Sequence, residues 1–172
     1  GTLAYSSWVR MQELGTTDAN ACAYNDLALV RVDPADVGKV NPSVPFFGGP
    51  TGIDADGTRA GDRLYSYGSS SLRGGLTALS PKYGTSLGDA AGDRGWSHPA
   101  YTLTPGIPGD SGSGFLSTGG RAVGVLSTLG LAPLPLSNNI GDLAKELAFA
   151  QQHSGLAGLG LVLGTEPFRS VL

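Results

Sequence analysis

The sequence is poor in cysteine and in charge, and it contains no long apolar run. One of its 172 residues is a cysteine, Cys22, and 15% of the residues are charged. The formal net charge is −3 and no basic run occurs, which argues against nucleic acid or an anionic membrane as a partner. The apolar stretch GLAGLGLVLG at 155–164 is too short to span a bilayer. These scarcities favour a secreted or extracytoplasmic protein without a membrane segment.

The chain is instead rich in turn-forming residues, with 28 glycines and 11 prolines, and 40% of it is hydrophobic. Its length allows a sizeable buried core. Short apolar runs between turn signals predict strands, and a two-glycine turn at Gly119-Gly120 predicts a hairpin. The predicted strands are 3–14, 27–33 (buried on both faces), 63–68, 75–82, 99–104, 112–118 and 121–131. A loop is predicted at 16–26.

Two other segments differ from this pattern. Residues 34–62 are dominated by proline, glycine and aspartate and are predicted to connect two domains. In 138–155 the apolar residues Ile140, Leu143, Leu147 and Ala150 recur at helical spacing, which predicts a helix capped by Asn138 or Asn139. The tail, 156–172, is either mobile or a packed terminal segment.

The stretch PGIPGDSGSGFL (105–116) places a serine, Ser111, among residues that permit unusual backbone angles. Acyl transfer needs a nucleophile beside N–H donors that stabilise a developing oxyanion. The N–H groups of Gly109 and Ser111 are the candidate donors. Ser111 is therefore the leading candidate nucleophile.

This stretch resembles the nucleophile loop of trypsin-like serine peptidases of the chymotrypsin fold, especially the secreted actinobacterial type. NDLALVRV (25–32) is similar to the segment that carries the family's catalytic aspartate, which maps onto Asp26. AVGVLST (122–128) resembles the strand beside the substrate pocket, where Ser127 lies near that aspartate. Taken alone, Asp26 would be a turn or cap residue and Asp110 a turn aspartate. The resemblance instead makes Asp26 catalytic and Asp110 a structural support of the oxyanion loop.

The resemblance implies an all-β fold: a chymotrypsin-like double β-barrel with an incomplete first barrel and a C-terminal α-helix. The implied divisions are a first-barrel remnant at 1–33, a connector at 34–62, a second barrel at 63–137, the helix at 138–155 and the tail at 156–172. The implied pocket residues are Pro105 at the floor, with Ser127, Thr128 and Leu129. Because Pro105 is uncharged, we expect small or apolar substrate side chains there, and we expect no metal or cofactor.

The family's general base is a histidine upstream of the aspartate, and this chain has no such residue. His98 and His153 both follow Asp26; we expect His98 at a pocket rim or in packing, and His153 on the surface. The simplest interpretation is a partial chain of a serine endopeptidase, inactive alone. The missing N-terminal segment would carry the histidine, complete the first barrel and pair with Cys22, which could otherwise be a buried free thiol.

Two alternatives stay open. The chain could be a catalytically inactive trypsin-like fold that acts as a binding module. It could also be an unrelated serine hydrolase that uses His98 as its base. The substrate in the leading interpretation is a protein or peptide.

Overall fold

The computed structural model describes residues 1–89, 92–130 and 135–170. Its strands are β1 (Thr2–Ser6), β2 (Ala28–Arg31), β3 (Arg63–Tyr67), β4 (Pro81–Ser86), β5 (Ser97–Thr102), β6 (Gly114–Ser117), β7 (Ala122–Gly130) and β8 (Ser137–Asp142). Its α-helices are α1 (Ser7–Leu14), α2 (Ala19–Tyr24) and α3 (Leu143–His153). Short 3₁₀ turns occur at Val37–Lys39, Ser71–Arg73 and Thr77–Leu79. None of the helices described is long and apolar enough to cross a membrane.

Six strands form a closed antiparallel barrel in the order β3-β4-β5-β8-β7-β6. Closure leaves no unpaired edge within the barrel. Its interior is filled by buried apolar side chains of five of the strands: Leu64, Ala100, Phe115, Val123, Leu126 and Ile140. The protein is therefore mostly β, with a six-stranded barrel followed by a C-terminal helix.

The N-terminal part is a separate two-stranded antiparallel sheet, β1-β2, with α1 and α2 between its strands. A small cluster of Tyr5, Leu27 and Ala150 packs this sheet against α3. Strand β2 was expected to be buried on both faces, but Val30 is 62% exposed and Ala28 and Arg31 are also exposed. The reason is that only the face of Leu29 packs on the cluster at α3, whereas Val30 on the opposite face contacts no cluster of the described residues.

The segments 3–14 and 16–26 both differ from their predictions. Residues 3–14 divide between a strand and α1, because the chain turns from β1 into a helix at Ser7. The expected loop at 16–26 contains α2, which is capped by the side chain of Asp18 through the N–H groups of Asn20 and Ala21. An aspartate before an alanine-rich run is a helix-start signal.

The later predictions locate β3, β5, β6 and β7 approximately but are wrong for β4 and β8. The predicted strand 75–82 contains a 3₁₀ turn and only the first two residues of β4, and β8 was taken for the start of the last helix. The hairpin at Gly119-Gly120 joins β6 and β7 as predicted, although Leu131, the last residue predicted for β7, lies outside the described residues. Helix α3 begins at Leu143, capped by Asp142 and not by Asn138 or Asn139. The preceding residues, 137–142, are drawn into β8 by pairing with two neighbouring strands.

The connector and the tail pack against the outside of the barrel. The N–H of Arg169 donates to Phe47 O (2.8 Å), and the ring of Phe168 contacts Tyr65. The described part of the tail is thus a packed terminal segment; residues 171 and 172 lie outside the described residues.

Candidate functional site

Ser111 lies at the tip of a tight loop between β5 and β6. The N–H of Asp110 donates to Ile107 O (2.9 Å), and the N–H of Gly112 donates to Leu126 O (2.8 Å) on β7. Gly109 has φ +95°, a left-handed backbone angle that favours glycine. A Cβ there would also lie 2.8 Å from Ser70 Oγ. Glycine at 109 is therefore needed for this loop geometry.

The predicted oxyanion donors have no internal partner. Among the described residues, the N–H groups of Gly109 and Ser111 and the hydroxyl of Ser111 make no hydrogen bond. Both residues are exposed. Unpaired N–H groups on such a loop can bind an anionic oxygen.

Asp110, between these two residues, is buried and fully engaged. Its carboxylate pairs with Arg73 (2.5 Å) and Lys82 (3.0 Å). It also accepts from the N–H groups of Ser70 (2.9 Å) and Ile107 (3.1 Å). Burial alone would raise the pKa of Asp110, but the hydrogen bonds from Arg73 and Lys82 hold it below its usual value. Asp110 is an ionised anchor for the loop.

Sequence reasoning missed Arg73 and Lys82, the two cations of this anchor. Lys82 lies on β4 and is itself fully buried, and burial lowers its pKa against the opposing attraction of Asp110. Arg73 ends a 3₁₀ turn and also donates to Pro105 O (3.0 Å). No motif marks these two residues in the sequence. The only guide would have been the general rule that a buried carboxylate needs cationic partners.

A cavity of about 200 Å³ opens beside Ser111. Three of the predicted pocket residues line it, namely Ser127, Thr128 and Leu129, and the remaining lining residues are Gly106, Ile107, Pro108, Leu126 and Asn138. Pro105 is not part of this wall, because its carbonyl turns towards Arg73 and Lys82. Asn138, missed from the sequence, is buried there and accepts from the N–H of Gly106 (2.9 Å).

Asp26 reaches the same region from the N-terminal sheet. Its carboxylate accepts a hydrogen bond from Ser127 Oγ (2.7 Å), although the two residues are 101 positions apart. Its N–H donates to Glu146 Oε1 on α3 (3.0 Å). The structure thus joins Asp26 to Ser127, and Ser127 lines one cavity with Ser111. Asp26 itself is exposed to solvent.

Neither histidine belongs to this arrangement. His98 is fully buried in β5, with Nδ1 2.8 Å from Asp89 and Nε2 2.8 Å from Asp142, so it is not at a pocket rim. Burial lowers the pKa of His98, but hydrogen bonds to Asp142 and Asp89 outweigh this and raise it above its usual value. His153 stacks on Phe149 at the end of α3. With both ring nitrogens on carboxylates, His98 is not available as a base for Ser111.

Cys22 lies away from the Ser111 cavity. It is an exposed free thiol on α2, and its Sγ is 3.4 Å from Thr16 O. Together with Trp8 and Met11 it lines a surface groove. A buried free thiol is therefore excluded, and the thiol is accessible to a partner.

Comparison with models of known protein families found no match, and a search among curated proteins found none either. The class that the fold defines is a small, mostly β protein with a closed six-stranded antiparallel barrel and a C-terminal helix. Within the described ranges, no group of three or more metal-ligating side chains is placed to hold an ion.

Proposed function

We propose that this chain carries two thirds of the catalytic triad of a serine endopeptidase with a chymotrypsin-like double β-barrel. The observation that supports this most strongly is the contact of the Asp26 carboxylate with Ser127, on the wall of the cavity that Ser111 lines. A carboxylate and a hydroxyl that meet at one cleft from distant parts of a chain match the layout of a triad.

In this proposal Ser111 Oγ attacks the carbonyl carbon of a peptide bond, and its proton passes to a histidine. The N–H groups of Gly109 and Ser111 stabilise the oxyanion. The C–N bond then breaks, the histidine returns the proton to the leaving amine, and water hydrolyses the acyl-enzyme by the same route. Asp26 orients the histidine and stabilises its charged form.

The histidine would come from a segment outside these 172 residues, which would cover the Asp26 side and complete the first barrel. Two observations support this. Asp26 is exposed, whereas a triad carboxylate works beneath an imidazole. The N-terminal sheet and the connector also expose large apolar side chains, including Leu3 (66%), Val30 (62%) and Val37 (56%). The exposed thiol of Cys22 would pair with a cysteine of the same segment.

The cavity supports a preference for small or apolar substrate side chains. No charged side chain lines it among the described residues, and Leu129 and Leu126 contribute apolar surface. A basic substrate side chain would therefore find no carboxylate there. A protein of this kind would act outside the cytoplasm, on protein or peptide substrates.

The alternative is a binding module on the same fold. The observation that favours it is that neither histidine contacts Ser111 or Asp26. Such a protein would bind peptides at the Ser111 cavity without cleaving them.

Reaction of Ser111 with a fluorophosphonate probe separates the two proposals. We expect slow labelling of the chain alone, because a triad without its base retains only residual activity, about 10³–10⁴ over water. Added imidazole should occupy the open site beside Asp26 and accelerate labelling. Ser111→Ala should abolish the signal and Asp26→Asn should abolish the acceleration, whereas Ser69→Ala, at an exposed serine, should change neither.

Rapid labelling without imidazole would contradict the proposal that this chain lacks the general base. Labelling that imidazole does not accelerate would contradict the triad, and peptide binding under the same conditions would then favour the binding module.

A further inference from the structure

Glu146 is a buried carboxyl group that the mechanism above does not use. It lies on α3 and is 0% exposed. Its Oε1 accepts the N–H of Asp26 (3.0 Å), whereas Oε2 has no hydrogen-bond partner among the described residues. Gly141 provides its space, because a Cβ at that position would collide with Oε1. The fold therefore brings a buried acid against the backbone of the candidate triad aspartate.

The charges around Glu146 are of the wrong sign for a carboxylate. Asp26 and Asp142 are its charged neighbours, from the N-terminal sheet and from the cap of α3. The buried Tyr5 hydroxyl from β1 has no hydrogen-bond partner in the described part of the chain, and Arg10 of α1 donates to Glu13 and to His153 O. No cation hydrogen-bonds to Glu146 within the described residues.

Burial and these two carboxylates raise the pKa of Glu146 to about 8, although the Asp26 N–H opposes the shift. Glu146 is consequently a neutral acid at pH 7. A neutral carboxyl can accept the Asp26 N–H through its carbonyl oxygen without placing a second negative charge next to the Asp26 side chain.

We propose that Glu146 is a positioning residue, whose protonated carboxyl fixes the backbone of Asp26 and so holds the Asp26 carboxylate at the cleft. The catalytic significance of this position rests on the proposed function, but the coupling between the two residues does not. Asp26 then has two anchors, Ser127 at its carboxylate and Glu146 at its N–H. Loss of the Glu146 proton buries an anion beside two others, which favours separation of α3 from Asp26.

The chain offers a direct measurement, because its only glutamates are Glu13, Glu146 and Glu166. With glutamate labelled by ¹³C at the carboxyl carbon, we expect the Glu146 resonance to titrate near pH 8. Glu13 and Glu166 are exposed, and their substitution to glutamine assigns the remaining two resonances. The amide resonance of Asp26 should shift with the same midpoint as Glu146.

Glu146→Gln keeps an acceptor of the same shape but cannot titrate. The variant should therefore give a folded spectrum in which the Asp26 amide resonance no longer shifts near pH 8. Glu13→Gln, at an exposed position, should leave both steps in place. A purely structural Glu146 would not move the Asp26 amide with pH. In the imidazole-assisted labelling of Ser111, the wild-type rate should fall above pH 8 relative to that of Glu146→Gln.

An Asp26 amide step that persists in Glu146→Gln, or a Glu146 resonance that titrates only at acidic pH, would overturn the proposal. If the variant does not fold, the carboxyl titration of the wild-type chain still decides. If the Glu146 carboxyl and the Asp26 amide titrate together but imidazole does not accelerate labelling, the coupling of the two residues stands and the proposed peptidase function is rejected. If imidazole accelerates labelling but the two resonances do not titrate together, the peptidase function is supported and the coupling of Glu146 to Asp26 is rejected.

Discussion

At the scale of single residues, the protein treats its buried acids in two different ways. Asp110 is surrounded by Arg73 and Lys82 and stays ionised, whereas Glu146 faces two other carboxylates and is held neutral. The first arrangement fixes the Ser111 loop, and the second fixes the backbone of Asp26. Burial disfavours the charged form of both groups; two cations offset it at Asp110, whereas at Glu146 the neighbouring carboxylates add to it.

Asp110→Asn should be among the most destabilising single substitutions in the chain. It would leave the buried Arg73 and Lys82 without a counter-charge, at a cost of about 3–5 kcal/mol in the free energy of unfolding. Urea unfolding followed by circular dichroism measures this. Asp36→Asn, which breaks the exposed pair with Lys39, is the matched control and should cost about 1 kcal/mol or less. Equal losses in the two variants would show that Asp110 is not the anchor described.

Sequence reasoning could single out the Ser111 loop because its residues are neighbours in the chain. Ser111, Gly109 and Asp110 form one short stretch, and the glycine at 109 has the left-handed backbone angle that such a loop requires. Arg73, Lys82, Asn138 and Glu146 were missed because each acquires its environment from a segment distant in sequence. Nothing local distinguishes a lysine that will be buried on β4 from a solvated one.

At the scale of elements, the helix boundaries show why periodicity misplaces an end. Ile140 continues the apolar spacing of α3 backwards, yet it pairs with β5 and β7 as part of β8 and is buried in the barrel. Asp142 then changes the chain from strand to helix by accepting the N–H of Lys145. A strand that joins two neighbours outweighs a few tenths of a kcal/mol of helix propensity.

Asp142 and Asp18 both cap helices, but their substitution should have different costs. Asp18→Ala removes the cap of the short helix α2 at an exposed position and should lower the free energy of unfolding only slightly. Asp142→Ala removes the cap of α3 and also takes from Nε2 of the buried His98 its carboxylate partner, so a cost of about 3–5 kcal/mol is expected.

Unfolding free energies of the two single variants, His98→Gln and the double variant Asp142→Ala/His98→Gln test this difference. The losses from Asp142→Ala and His98→Gln should not add, because the two residues share one contact. Additive losses, or equal costs for the two caps, would contradict the dual role of Asp142.

At the scale of the whole molecule, the candidate site spans a closed barrel and a two-stranded sheet that has far fewer stabilising neighbours. Ser111 and Ser127 belong to the closed barrel, whereas Asp26 leads into β2, an exposed strand with a single neighbour. A two-stranded ribbon has little stability of its own. The alignment of Asp26 with Ser111 therefore depends on its contacts with Ser127 and Glu146 and on the small cluster at α3.

The sequence could predict β3, β6 and β7 because these strands carry their own turn signals and apolar core residues. It could not predict β8, or the bounds of β4, because their pairing with neighbouring strands sets them. The double-barrel arrangement and the catalytic role of Asp26 rest on the resemblance alone and stay predictions. Strand β2 illustrates the limit: its apolar residues predict burial on both faces, but what covers Val30 is not set by β2 itself.

Amide hydrogen exchange should reveal this inequality directly. We expect the amides of β3 to β8 to exchange at rates close to those set by global unfolding, and those of β2 to exchange faster through local opening. Phe115→Ala, which opens the barrel core, should cost about 3–5 kcal/mol and accelerate exchange throughout the barrel. Val30→Ala, at an exposed position, should change stability by about 0.5 kcal/mol or less. Protection of β2 equal to that of the barrel would mean that the N-terminal sheet needs no further segment for its order, and would remove the main structural support for one.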